Sequence, residues 1–286
     1  MSGLPELVVS TMLIFGTGAS QGSDAAVCKP SGSLVHLPPL PEASGLAIGR
    51  SARLWMHNDS GAAELIAVDT EGAVAGRLTL DGARVEDWEA IASGPCGNGT
   101  CLFIGDIGDN DASRKQITVY RVAEPAEPGG SVKAEAFHAT YPDGAHDAET
   151  LIVAPDGILF IVTKGDTGPI AVYRFPRDIK SGSTVKLERV GKAIAEKPGD
   201  KARITDGSIS RDGNWVVLRT KTALMFYRGD AFMRGEFEEV RRVDVSSLKE
   251  PQGEAVVFGP GNTVYLGGEG GGKKQPGTLA AMSCEP

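Results

Sequence analysis

An internal repeat constrains this chain more than any other feature. Five segments align: EASGLAIGRSARLWMHNDSG from Glu42, DWEAIASGPCGNGTCLFIGDIGDN from Asp87, DAETLIVAPDGILFIVTKGD from Asp147, TDGSISRDGNWVVLRTKT from Thr205 and GEAVVFGPGNTVYLGGEGG from Gly253. Each carries an acid at or near its start, runs through a short apolar strand, turns at Gly, Asp or Asn and continues into a second strand rich in Val, Ile, Leu and Phe, which is the pattern of a β-hairpin. The spacing, roughly 45 to 60 residues, is the length of one four-stranded propeller blade. Further strands are predicted at Glu64 to Asp69 and Ala73 to Leu80, Ile117 to Val122 and Lys133 to Tyr141, Ile170 to Phe175 and Val185 to Ile194, and Ala223 to Arg228 and Phe237 to Val245. The fifth unit has only three strands, ending at Thr278 to Ser283, and Leu34 to Leu37 supplies the fourth. The expected fold is all-β, a five-bladed β-propeller whose last blade is closed by the N-terminal strand. A helical fold is disfavoured, because no i, i+3, i+4, i+7 apolar stripe persists over three turns.

Both ends of the chain bear on this ring. Leu7 to Phe15 is apolar and is followed by small residues, so 1–26 reads as a signal peptide and 27–286 as one propeller domain, although the leading residues lack Lys and Arg and include Glu6. The run is too short to span a bilayer, and no membrane insertion of the mature domain is expected. The Ser20 GASQG string is discarded as a nucleophile elbow because no strand precedes it. Four cysteines allow three pairings. Cys96 and Cys101 enclose the turn GNGT, and Cys28 and Cys284 lie at the two ends of the mature chain, so a local and a terminal disulfide are expected, in a secreted or periplasmic protein. A net charge of −8 disfavours a nucleic-acid polymer as partner.

The acids of the repeat carry the functional argument. Glu89, Glu149, Asp206 and Glu254 hold equivalent positions at the starts of innermost strands, which line a propeller's channel; in the first unit Ser44 takes that place, with Glu42 two residues earlier on the same strand face. Which of Glu42 and Ser44 faces the channel is left open. At roughly 6 Å and an effective dielectric near 20, two ionised carboxylates repel by about 3 kcal/mol. Either some protonate or a cation sits among them, and an all-oxygen donor set favours Ca²⁺. The alternative is that each acid caps a neighbouring strand locally.

The second strands return to the same face. Asp59, Asp106 and Asp109 at their ends are candidate bases or holders of a metal-bound water, and Asn58, Asn110, Lys164, Arg219 and Lys221 are candidate ligands for a small anionic substrate. Taken singly, such Asp, Asn and Gly residues also make turns. Trp88 and Trp215 are expected to pack between blades, His146 to cap a strand, and GGEGGGKK from Gly267 to be a loop rather than a phosphate site. No Ser-His-Asp or Cys-His constellation is evident.

The motifs LPPLPEASGLA, LWMHNDSG, DWEAIA, LFIGDIGDN, ITVYRVAEP, HDAETLIV and EPQGEAVVF, in this order, resemble an uncharacterised family of secreted bacterial β-propeller proteins over nearly the whole mature chain. The series Ser44, Glu89, Glu149, Asp206 or Ser208, Glu254 also resembles the calcium-activated nucleotidases, or apyrases, of animals. That resemblance implies five blades and one Ca²⁺ in the channel, held by Ser and Glu side chains. It places Asp59-Ser60-Gly61 at an acidic turn near the nucleotide, but the basic residue of that turn has no counterpart here. Calcium-dependent propeller phytases and lactonases are a broader analogy. Two functions follow as expectations: a Ca²⁺-dependent hydrolase of a phosphoanhydride, phosphoester or lactone, or a non-catalytic propeller that binds an extracellular protein or glycan.

Overall fold

In the computed structural model, which describes residues 1, 28–38, 40–199, 202–272 and 274–285, five sheets with antiparallel cores form five blades. The expected signal peptide, save Met1, lies outside the described residues. The four-strand cores are Ala43–Ile48, Leu54–Asn58, Glu64–Val68 and Val74–Asp81 in blade one, and Trp88–Cys96, Gly99–Asp106, Ile117–Ala123 and Glu135–Thr140 in blade two. Blade three holds Ala148–Val153, Leu159–Thr163, Ile170–Arg174 and Glu188–Ala195, and blade four Asp206–Ile209, Trp215–Arg219, Ala223–Arg228 and Glu239–Asp244. Blade five holds Gln252–Phe258, Thr263–Glu269 and Gly277–Ser283. Each innermost strand contacts the innermost strand of the next blade, and that of blade five contacts that of blade one, so the ring is closed.

Closure uses the N-terminal segment. Val35–Leu37 and Lys29–Pro30 both pair antiparallel with Gly277–Ser283, Val35 opposite Leu279 and Lys29 opposite Ser283. Beside them Cys28 is bonded to Cys284, and Cys96 to Cys101 closes the hairpin tip of blade two. Both expected disulfides are therefore formed.

The core lies between blades rather than at one centre. Trp88 of blade two is fully buried against Trp55, Ala47 and Leu65 of blade one, and Trp215 is partly buried against the cluster shared by blades four and five. This is why inner strands read as nearly continuous apolar runs: both faces of a blade are covered by neighbours.

Two departures from the sequence reading concern the rim. Lys133 to Tyr141 and Val185 to Ile194, each expected as one strand, are split. Ser131–Lys133 and Thr184–Lys186 pair parallel with the outer strand of the preceding blade, at Val74–Asp81 and Glu135–Thr140, before the chain turns into its own blade. These short strands cover edges that would otherwise present unpaired backbone groups, and they tie blade two to blade one and blade three to blade two. The other departure is a single-turn-scale helix, Gly229–Arg234, which buries Phe232 and ends at Gly235 with φ of 89°. Gly235 packs on Gly191, whose Cα would lie 2.7 Å from a Cβ added there, so both steric and backbone constraints select glycine.

Candidate functional site

Backbone irregularity positions the acids. In blades one, two, three and five the register between the first two strands slips by one residue, across Ala43/Gly45, Trp88/Ala90, Ala148/Thr150 and Gly253/Ala255. The residues left over are Ser44, Glu89, Glu149 and Glu254. A β-bulge leaves its extra residue outside the ladder and re-aims its side chain, so the same distortion delivers each repeat position to one end of the ring. Blade four has no such slip, and Asp206 simply opens its strand opposite Arg219. Ser44, not Glu42, is the equivalent residue of blade one, and its Oγ donates to Glu89 Oε2 at 2.8 Å. Glu42 stands farther out, where Ser60 Oγ donates to its Oε2 at 2.8 Å.

The acids feel one another's charge. Burial, then Glu149 and Asp87, push the Glu89 carboxyl well above the ordinary range. Burial drives Glu149 upward more strongly than Lys164 draws it down, with Glu254 and Asp147 adding to the rise. Glu254 is pushed up to about 7 by burial and by Glu269. Asp206 rises by burial although it accepts the Val256 N–H at 2.8 Å. Asp59, Asp87 and Glu269 are raised as well, burial leading in each case, followed by Glu42, Asp147 and Asp59 respectively. Glu89, Glu149 and Glu254 influence one another from blade to blade, as groups at a shared mouth do, while Asp206 caps the next blade's strand at Val256, as the local-capping alternative expects.

The site also contains a cation of its own. Lys164 directly follows the second strand of blade three, and its Nζ lies against Glu149 Oε1 and 3.3 Å from Asp147 Oδ2. Burial alone would lower that ammonium, but Glu149 and Asp147 more than compensate and hold it charged. His57, buried against the Trp88 ring, is pushed down to about 4 by burial, so it is neutral near pH 7 and contributes no charge.

The other expected residues have varied placements. Asp106 accepts the Asp87 N–H at 3.1 Å and Arg114 Nη1 at 2.9 Å; Asp109 accepts the Ser113 and Arg114 N–H groups at 2.9 and 2.8 Å. These two carboxylates organise the loop that follows blade two's second strand. Asn58 Oδ1 accepts the Glu42 N–H at 3.1 Å, and Asn110 Nδ2 reaches Asp87 Oδ2 at 3.4 Å. Asp59 is half-buried, and its Oδ1 is enclosed without a hydrogen-bond partner among the described residues. Lys221 is exposed near Glu254 and Glu269 and lowers both. Arg219 is wholly buried, donating to Ala255 O at 2.5 Å and Gly267 O at 2.9 Å and pairing with Glu250, so it faces the joint of blades four and five rather than solvent. His146 belongs to a rim cluster with Asp143 and Tyr173.

Asp87 and Asp147 join this site although the repeat alone does not single them out. They precede Glu89 and Glu149 by two positions, as Glu42 precedes Ser44, so an acid-x-acid or acid-x-Ser spacing was the available signal. Glu42, Asp87 and Asp147 stand just before strands that begin at Ala43, Trp88 and Ala148, and they make an outer acidic tier beside the bulged inner one. Gly108 touches both tiers: a Cβ there would lie 2.4 Å from Asp87 Oδ2 and 2.8 Å from Glu89 Oε1.

No protein-family model and no curated protein matches the sequence. Solved structures do match. The PQQ-bound aldose sugar dehydrogenase of Streptomyces coelicolor aligns with a TM-score of 0.57 at 13% identity, over 91% of this chain and 98% of that one. A gluconolactonase of Xanthomonas campestris aligns with a TM-score of 0.50 at 13% identity, over 87% and 74%, and a putative glucose dehydrogenase of Thermus thermophilus with 0.50 at 12%, over 90% and 100%. At such identities the likeness is one of fold.

The raised carboxyls have a consequence for stability. A carboxyl whose folded-state pKa exceeds its unfolded value costs stability once it ionises, so the cost is absent below about 4.5 and complete above about 7 for Glu254. Glu254→Gln removes that cost. In metal-free protein the variant is expected to be about 2–3 kcal/mol more stable than the parent at pH 8 and equal to it at pH 4, measured by urea unfolding. A difference independent of pH would show that Glu254 is not ionised against this resistance.

Proposed function

We propose that the acidic mouth is the catalytic centre of a Ca²⁺-dependent hydrolase of small lactones, with phosphoesters and phosphoanhydrides as the next substrates to test, in a secreted or periplasmic protein. The observation that carries this reading is the convergence of bulge-aimed oxygen donors whose carboxyls rise in one another's field: the mouth holds more negative charge than Lys164 offsets. The two disulfides support an oxidising location, and the gluconolactonase of similar fold makes lactones the first choice.

The donor chemistry fits a hard cation, since Ser44, Glu89, Glu149 and Glu254 offer only oxygen. As placed, no three His, Cys, Asp or Glu side chains among the described residues are disposed to hold an ion. Ca²⁺ would take its ligands from these four residues, and Glu149 would exchange Lys164 for it. When bound, the ion would supply Lewis-acid polarisation of the scissile carbonyl or phosphoryl oxygen. Asp59, with a raised pKa and an unpartnered oxygen, accepts the proton of the attacking water. Lys164 and Lys221 attract the anionic product or substrate group. Asp106 and Asp109, through Arg114 and the loop they anchor, keep Gly108 against Asp87 and Glu89.

The test combines Ca²⁺ titration with turnover of gluconolactone, phytate and nucleoside diphosphates. Ca²⁺ is expected to raise the thermal midpoint, chelator to remove both the rise and the activity, and Asp59→Asn to lower kcat by about 10²–10⁴-fold with Ca²⁺ binding retained. A chelator-insensitive midpoint with no bound metal ends the calcium reading. One observation favours a second reading: the Lys164 contacts with Asp147 and Glu149 neutralise part of the mouth without any metal. Ca²⁺ stabilisation with no turnover of any of these substrates would move the protein to that class, a propeller that binds an extracellular protein or glycan.

A further inference from the structure

The opposite end of the channel has a different chemistry. Leu46, Ile91 and Leu151, all buried, lie two residues beyond Ser44, Glu89 and Glu149 along their strands. Below this apolar layer is a cavity of about 280 Å³ touched by the inner strands of all five blades. Its walls include Val153, Val257 and Phe258, and its lip carries Arg50 and Arg211. Both arginines are exposed, and neither guanidinium is ion-paired among the described residues. Arg50 is laid inward across a glycine: its Nη2 would lie 2.6 Å from a Cβ added at Gly99. Ser93 and Ser208, also on the wall, keep half-buried hydroxyls that make no hydrogen bond among the described residues.

The acids nearest this end are already engaged. Glu124 accepts the Arg50 N–H at 3.1 Å and Trp55 Nε1 at 3.3 Å, and Asp212 accepts Ser210 Oγ at 2.6 Å. The cavity joins an apolar wall to an equally extensive polar one; convergent polar groups beside apolar surface are how proteins hold small ligands, and a volume just under the usual lower bound of about 300 Å³ suits a small amphiphilic one.

We propose that this cavity is a second ligand site, separate from the acidic mouth, which takes a medium-chain aliphatic carboxylate. The chain occupies the space beneath Leu46, Ile91 and Leu151, and the carboxylate meets Arg50 and Arg211, which bind planar oxyanions through paired N–H groups. Ser93 and Ser208 supply further donors. No aspect of this site depends on metal at the other mouth.

Isothermal titration of the full chain with octanoate tests it, with octan-1-ol and acetate as controls lacking the charge and the chain. One octanoate is expected to bind per chain, with chelator present or absent. Arg50→Gln and Arg211→Gln, both at exposed positions, are each expected to weaken it about tenfold, and Ser208→Phe to abolish it by filling the cavity. Absence of binding at millimolar octanoate, binding of either control as tight as that of octanoate, or arginine variants indistinguishable from the parent would each overturn the proposal.

Discussion

Replacing Arg219 by Met is expected to destabilise the protein by about 3–5 kcal/mol, the cost of leaving a buried charge without its partner. The side chain is wholly buried, and its guanidinium joins three groups of the neighbouring blade region: Glu250, Ala255 O and Gly267 O. Glu250 is itself only 4% exposed. Burial pushes its carboxyl up, and Arg219 alone counters that, so losing the arginine either strands a carboxylate or forces it to protonate. The two carbonyls lose a donor in the same step. Glu250→Leu combined with Arg219→Met is expected to recover a large part of the loss, since an apolar pair of similar volume carries no uncompensated charge. Chemical unfolding of the two single variants and the double variant checks this; additive losses would mean that Arg219 and Glu250 do not act as a pair.

The largest covalent effect should come from the ring closure. Serine at both Cys28 and Cys284 is expected to cost about 4–5 kcal/mol, because the bridge joins positions 256 residues apart and removes a correspondingly large chain entropy from the unfolded state. Serine at both Cys96 and Cys101 should cost much less, since that loop spans 5 residues. The strands Lys29–Pro30 and Val35–Leu37 would remain paired with Gly277–Ser283 only through hydrogen bonds and packing, so amide exchange in these segments should accelerate more than elsewhere. Equal losses for the two cysteine pairs would refute the entropic account.

Much of the architecture is legible in the chain because a propeller repeats itself: the period fixes blade number, strand alternation marks the hairpins, and acids recur at one phase of the repeat. Failures occur where a segment leaves its own repeat. Lys133 to Tyr141 is expected as one strand, yet Lys133 ends a short strand, Ser131–Lys133, that pairs with blade one's Val74–Asp81, and local propensity carries no information about which sheet a strand joins. Likewise Lys164 and Arg219 hold similar positions at the ends of second strands. Lys164 turns toward the acids of the mouth, while Arg219 turns into the blade joint, where Gly253 leaves room: a Cβ there would come within 2.2 Å of the Arg219 Nη2.

Five blades, an N-terminal strand closing the last one, the pairing of the cysteines and the recurrence of acids at Glu89, Glu149 and Glu254 can be read along the chain, because each follows from periodicity, from a short enclosed turn or from proximity to the chain ends. Three-dimensional packing was needed to show that Ser44 rather than Glu42 completes the inner tier, that Lys164 lies among its carboxyls, that Arg219 is a clamp, and that an arginine-lipped cavity lies beneath the channel's apolar layer. Those outcomes depend on bulges and on contacts between blades, where a shift of one residue in register reverses the face a side chain occupies.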